Sequence, residues 1–412
     1  MSSSARRCWI TITFLLSGLA ATCTVHAAEM HGRSSTQLLW YNDIVDASSQ
    51  MDIAEYLRFT ITDIDKEKKV SLYGYGRLLW DIKGNDPSGN SDDLQERVYY
   101  LYADYKDFLD SADLRVGRQF INLSAGSAHL DGVEAHIKKI GPLGLVVMGG
   151  RNVIFGEEGS LTSHSYSAGF SAYLAGKSMD YLDLSYVRTY DYGDIARDII
   201  GSSYKQYFFK SIKVYANARY DLTAEVFNEL LGGIKYFPTL NLMMTAEYYQ
   251  SYPTFDSTSI YSVFAVNQYK ENIFRADYTL ATWVDVSVGY RQEDFGEDGD
   301  ATLYDVGLKF RPSVNATIGL FHDSRSGYPG DLDGYRVYTE YRMLRKWNAA
   351  AGIDYDSYQR DDMTGQETAK RYWAGGRYTF AKNMSSSFRV QNSVNVNYSK
   401  DIQGRLTFDV DF

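Results

Sequence analysis

Gly404-Arg-Leu-Thr-Phe-Asp-Val-Asp-Phe412 decides how the chain is read. Leu406, Phe408, Val410 and Phe412 alternate with Arg405, Thr407, Asp409 and Asp411. A period of two puts the first set on one face of a β-strand and the second on the other. A charged second face argues against a strand buried on both sides. Lipid on one face and water on the other fits better, as in a transmembrane barrel wall. Taken alone, the segment also fits the edge strand of a soluble sandwich, so the rest of the chain must decide.

The same alternation recurs throughout. Val133, Ala135 and Ile137 alternate with Glu134, His136 and Lys138, and Val284, Val286, Val288 and Tyr290 with Asp285, Ser287, Gly289 and Arg291. Tyr304, Val306, Leu308 and Phe310 alternate with Asp305, Gly307 and Lys309. The second face is polar each time, the pattern of half-buried strands.

Connections alternate as well. Short turns are expected at Ile64–Lys69, Phe108–Ala112, Ile140–Leu143, Ala216–Arg219, Phe237–Leu240 and Ala381–Met384. Between them come longer polar loops: Gly84–Asp93, Ile154–Ser163, Asp191–Ser203, Tyr252–Tyr261, Asp323–Asp333 and Arg360–Thr368. Short periplasmic turns and long extracellular loops are the rule of outer-membrane barrels. The expected fold is all-β, a transmembrane antiparallel barrel of about 20–22 strands over residues 29–412. One short connection, Glu229–Gly232, falls where a long one is due.

Composition agrees. The 412 residues include 36 Tyr and 34 Gly but only 6 Pro, suiting strands with aromatic girdles. Trp80, Tyr190, Tyr249, Phe310 and Trp347 near strand ends are girdle candidates. A mean hydropathy of −0.35 averages two unlike faces and does not separate this fold from a soluble one. Arg6 and Arg7, the apolar run Cys8–Ala21 and the small residues to Ala28 predict a secretion signal over residues 1–28. Both cysteines, Cys8 and Cys23, lie inside it, so the mature chain offers no disulfide, thiolate site or haem-attaching cysteine. Cleavage after Ala28 removes Arg6 and Arg7, so Lys+Arg falls from 42 to 40 against 52 Asp+Glu. The charge of −12 that results argues against nucleic acid as a partner.

Strand parity turns Arg77, Arg115, Lys138, Arg275, Arg291, Lys309, Arg336, Arg342, Arg377, Arg389 and Arg405 toward the lumen, with His136. It also turns in Asp104, Asp113, Glu134, Asp183, Glu225, Glu247, Asp277, Asp285, Asp305, Glu340, Asp354, Asp409 and Asp411. Mutually paired, water-wetted charges are the default for most, and overall acidity leans toward cations. Arg118 follows Leu114 and Val116 onto the lipid face. Either Gly117 is a bulge that turns it inward, or the arginine snorkels near the outer edge.

Catalytic and metal signals are thin. Ser163-His164-Ser165 and His322-Asp323 sit at loop edges and carry residue types a hydrolase would need, but they read as ordinary loop residues. The scattered histidines lack zinc-site spacing. No catalytic, cofactor-binding or metal residue is therefore assigned.

Barrels of about 22 strands are normally plugged. Strand pattern begins near Gln37, leaving no room for a plug domain. A loop could fill the lumen instead, Tyr252–Gln268 being the best candidate through its apolar run Tyr261–Val266, or another protein could.

Two resemblances bear on this. The closing Leu406, Phe408, Val410 and Phe412 resemble the signal read by the barrel-assembly machinery of Gram-negative outer membranes. Leu114–Phe120, Ala128–Ala135 and Tyr248–Ser257 resemble the porin-like barrels of porin–cytochrome conduits in metal-reducing bacteria. That family implies a barrel sheathing a periplasmic multihaem cytochrome and docking an outer-surface one, with haem held by the partners and none by this chain. The alternatives are a general or substrate-selective diffusion porin and, remotely, a barrel hydrolase. Lipid and lipopolysaccharide are the expected surroundings.

Overall fold

The computed structural model describes residues 28–42, 49–83, 94–155, 164–176, 181–254, 267–343, 346–359, 365–397 and 399–412. The strands are β1 (Glu29–Asn42), β2 (Ser49–Thr62), β3 (Val70–Asp81), β4 (Leu94–Phe108), β5 (Ala112–Leu123), β6 (Gly126–Ile140) and β7 (Leu143–Asn152). They continue as β8 (Ser165–Ala175), β9 (Tyr181–Asp191), β10 (Asp194–Phe208), β11 (Ile212–Asp221), β12 (Val226–Thr239), β13 (Leu242–Ser251), β14 (Tyr269–Ala281) and β15 (Val284–Asp294). The last are β16 (Asp300–Ser313), β17 (Ala316–Gly327), β18 (Leu332–Met343), β19 (Trp347–Tyr358), β20 (Glu367–Ala381), β21 (Met384–Val394) and β22 (Asp401–Asp411). Each pairs antiparallel with the next, and β22 pairs with β1, so the 22-stranded sheet closes on itself. Closure pairs the first strand with the last, so neither is left as a free sheet edge.

The two faces follow from sequence parity. Val116, Val147, Phe170, Leu406 and Phe408 lie on the outer face and are between 38% and 52% exposed. Ser171 and Asp183 lie on the inner face and are 1% and 4% exposed. This is the inverse of a soluble protein and the arrangement of a barrel bathed in lipid.

Glycine and aromatic content also find their use. Trp40 lies over Gly404, Phe59 over Gly74, Tyr173 over Gly144, Tyr215 over Gly233, Tyr338 over Gly319 and Trp373 over Gly352. Each is a directly opposed cross-strand pair. The ring fills the space that a Cβ on the partner strand would need, which restores packing at an otherwise weak strand position. Phe412 similarly covers Gly32, and the two residues exchange backbone hydrogen bonds of 2.8 and 3.0 Å.

Several boundaries differ from expectation. β1 begins at Glu29 rather than near Gln37, because Glu29–Leu38 finds a complete partner in β2. Asp191–Ser203 is not a long loop: residues 192–193 turn and β10 follows, its Asp198 held by Arg188 of β9 at 2.5 Å. Ala216–Arg219 lies inside β11 and Glu229–Gly232 inside β12; the turn between these strands is 222–225. Glu225 therefore sits in that turn, with φ +57°, rather than on a lumen-facing strand. β17 and β18 reach to Gly327 and Leu332, shortening the loop between them. Gly84–Asp93 and residues 1–27 of the expected signal lie outside the described residues.

Arg118 keeps strict alternation. Although Gly117 has φ +128°, its register with Tyr102 and Gly132 is unbroken, so Arg118 stays on the outer face. It donates to both carboxylate oxygens of Asp131, at 2.8 and 2.9 Å, and to the Val98 carbonyl. Asp131 in turn opposes Arg151, next to the last residue of β7. Placement near the long-loop rim and charge pairing make an outward arginine tolerable, and the inward bulge does not form.

Candidate functional site

One hairpin leaves the wall. β5 pairs with β4 only as far as Leu101↔Arg118, and β6 pairs with β7 only from Leu130↔Asn152 onward. Beyond those points Phe120–Leu123 and Gly126–His129 form ladder pairs only with each other. This hairpin tip folds into the lumen. Ile121, Leu123, Ala125 and Leu130 pack there against Val146 and Met148 of β7, Val187 of β9 and Ile199 of β10. All eight are at most 9% exposed. Burying Ile121, Leu123 and Leu130 stabilises the inward position by about 1.5–3 kcal/mol each.

Hydrogen bonds fix the tip. The Ala125 N–H donates to Ser185 Oγ at 2.6 Å, and Ser124 Oγ lies 2.7 Å from the same hydroxyl. Ser124 and Ser171 both donate to Asp183. Arg219 Nε of β11 donates to the Ser124 carbonyl at 2.9 Å, and its guanidinium binds Glu229 at 2.7 Å. At Gly201 of β10, a Cβ would collide with the backbone of Ser124 and Ala125, so only glycine admits the tip this closely.

The gap left in the wall is filled from behind. The His129 ring donates to the Tyr99 carbonyl at 2.6 Å. Phe155 packs between the rings of Tyr99 and His129, and the Arg97 guanidinium lies 4.8 Å from its centroid. These contacts tie the base of the hairpin to the upper part of β4.

The remaining inner wall is charged. Arg115 bridges Asp104 at 2.7 Å and Glu134 at 3.2 Å, and His136 binds Glu134 at 3.0 Å. Lys138 pairs with Asp113 nearer the turn. Glu247 accepts from the Tyr215 hydroxyl. Arg275 reaches Asp277 at 3.1 Å, and Asp285, directly opposite Lys309, takes Arg311. Arg291 lies 3.8 Å from Glu271 and 3.9 Å from Asp305. Arg336 pairs with Asp323, Arg371 with Asp354 at 2.5 Å, and Arg33 with Asp411 at 2.6 Å. Arg377 comes within 4.0 Å of Asp409, Arg77 stands directly opposite Arg97, and Arg389 opposite Arg405. Glu225 takes no part in these pairs, because it lies in the turn 222–225.

Asp65, in the turn between β2 and β3, is the clearest perturbed group outside the wall. The N–H groups of Val70 and Lys69, each at 2.8 Å, and that of Glu67 hold its carboxyl below the usual aspartate range.

No hydrolytic pair assembles among the described residues. His322 stacks on Tyr335 at 4.6 Å and its Nδ1 meets the Gly334 carbonyl, while neighbouring Asp323 points to the other face and binds Arg336. His164 stacks on Tyr192 at 4.5 Å. No group of three metal-ligating side chains converges among these residues. Of the proposed inward loop Tyr252–Gln268, residues 255–266 lie outside the described residues; the inward element seen is the β5–β6 tip instead. Its signal was present in sequence: Val146, Met148, Val187 and Ile199 put apolar residues on the water side of three strands.

Neither a protein-family model nor a curated protein matches the chain. Among solved structures it is similar to a BenF-like porin from Pseudomonas fluorescens Pf-5, with 9% identity over 94% of this chain and 99% of that one, at TM-score 0.48. It is also similar to Pseudomonas aeruginosa OccK3 (OpdO), with 10% identity, 93% and 96% coverage and TM-score 0.47. Acinetobacter baumannii OccAB1 gives 12% identity, 95% and 98% coverage and TM-score 0.44. Likeness at this level is too distant to say anything of ligand or transport.

Proposed function

We propose that the chain is a diffusion channel of a Gram-negative outer membrane, with passage limited by the β5–β6 hairpin. The observation that carries this reading is the combination of a charged inner wall, an apolar outer belt and a folded-in tip that narrows the lumen. Short turns then face the periplasm and long loops the outside, with lipopolysaccharide around the rim and the barrel-assembly machinery as the partner that inserts it. The reading involves no catalysis.

A sheath around a multihaem cytochrome is the less favoured reading. The hairpin packs across space that a sheathed protein would need, and moving it aside would expose its apolar side chains. In that reading the haem would belong to periplasmic and outer-surface partners.

Reconstitution of the purified chain in planar bilayers tests the proposal. Stepwise conductance from the chain alone is expected. No conductance from folded barrels, together with a haem-staining protein that co-purifies, would replace the channel by the sheath.

A further inference from the structure

We propose that the inner wall of β18–β22 is a binding site for small oxyanions, carboxylate or phosphate, that enter the lumen. This rests on the channel reading and names what the wall recognises.

Two adjacent inward rungs build the site. The first runs Glu340, Ala350, Gly375, Arg389, Arg405; the second runs Arg342, Asn348, Arg377, Ser387, Thr407. Ala350 and Gly375 have little or no side chain, and they leave a cavity of about 480 Å³ in front of the wall. The four arginines line it together with Asn348 and Ser387, against Glu340 as the one lining carboxylate.

Arg389 and Arg405 are directly opposed, an arrangement that repels unless something neutralises it. At several other arginines of the lumen this neutraliser is part of the wall. Arg115, Arg336 and Arg371 each hold an aspartate, and the opposed pair Arg33 and Arg58 has Asp411 on Arg33. In the cavity, Arg389 lies over the ring of Trp373 at 4.5 Å, which holds its guanidinium in place without cancelling its charge. Arg377 donates to Ser385 at 2.9 Å and lies 4.0 Å from Asp409. A planar fork held by an aromatic face, next to a second guanidinium and amide and hydroxyl donors, is suited to bidentate contact with an oxyanion. The site stands on the wall across the barrel from β7–β11, where the hairpin is anchored, so a solute squeezed past the tip would meet it.

Inorganic phosphate is the probe. Calorimetric titration of the folded, detergent-solubilised full chain at low ionic strength should show saturable binding. Arg389→Gln with Arg405→Gln should weaken it about tenfold or more, the effect of a lost charge-assisted hydrogen bond. Arg371→Gln, outside the cavity, should leave it unchanged. Equal binding by wild type and the double variant, no binding by wild type, or a comparable loss in Arg371→Gln would each overturn the site. Absent conductance in bilayers would instead count against the channel, since the titration needs no current.

Discussion

The inner wall has two unlike halves. On β7–β10 it presents Val146, Met148, Val187 and Ile199, and a hairpin covers them. On β13–β22 it presents arginines, aspartates and glutamates, and no strand among the described residues leaves the wall to cover it. The difference teaches that a lumen is not uniformly solvent. Where its wall is apolar, the chain must supply a lid for its own water face, because exposed apolar area is costly. Where the wall is charged, water and cross-strand ion pairs suffice.

The largest expected effect breaks that lid. Ile121→Asp places an unpaired carboxylate in the apolar contact at a cost of about 3 kcal/mol or more. The tip should swing away from β7–β10, and single-channel conductance should rise several-fold. Unchanged conductance would mean that the hairpin does not limit passage.

Phe412→Asp tests the other half through the seam. It removes the ring over Gly32 and puts a charge on the lipid face, a loss of about 1.5–3 kcal/mol of burial. Immunoblots of membrane fractions should show much less barrel, while the fraction that assembles keeps wild-type conductance. Normal membrane levels would contradict the packing argument.

Ser185→Ala is finer. The Ala125 N–H loses its acceptor, a change of about 1–3 kcal/mol when the group stays buried. Mean conductance should hold while brief openings to a larger level appear in the current record. A trace as quiet as wild type would show that other contacts alone fix the tip.

Asp65 gives the smallest effect, remote from both halves. Its folded pKa is depressed, so its contribution is present above the unfolded value of about 3.9 and is lost as pH falls through the folded value. Between pH 6 and 3, wild type should lose slightly more stability than Asp65→Asn in urea denaturation. Equal losses would remove the carboxylate's hydrogen bonds from the account.

Much of the barrel was legible because strict alternation survives wherever lipid and water flank the strand. Leu406 to Phe412 is the clearest case, and Val133 to Lys138 reads the same way in the lower part of β6. Legibility failed where a local signal was overruled by a partner. Asp191–Ser203 looks like a polar loop, yet Asp198 is neutralised by Arg188 and Ile199 is buried under the tip. The residues 222–225 form a tight turn at the long-loop end, where length had been the guide. Arg118 could not be placed because its answer lay in Asp131, thirteen positions away in sequence. The hairpin itself was hidden for a different reason. Parity tells which face a residue takes but not whether the strand stays in the wall.

The seam between β1 and β22 has a consequence for how the molecule is made. Every other wall pairing joins neighbours in the chain and can form soon after both strands exist. Arg33 and Asp411 are 378 positions apart. The entropy of bringing such distant segments together grows only slowly with length, but nothing local helps to pay it. Assembly is therefore a row of quick hairpin zippering followed by one late ring closure, and until that step the growing sheet carries two raw edges that something must shelter.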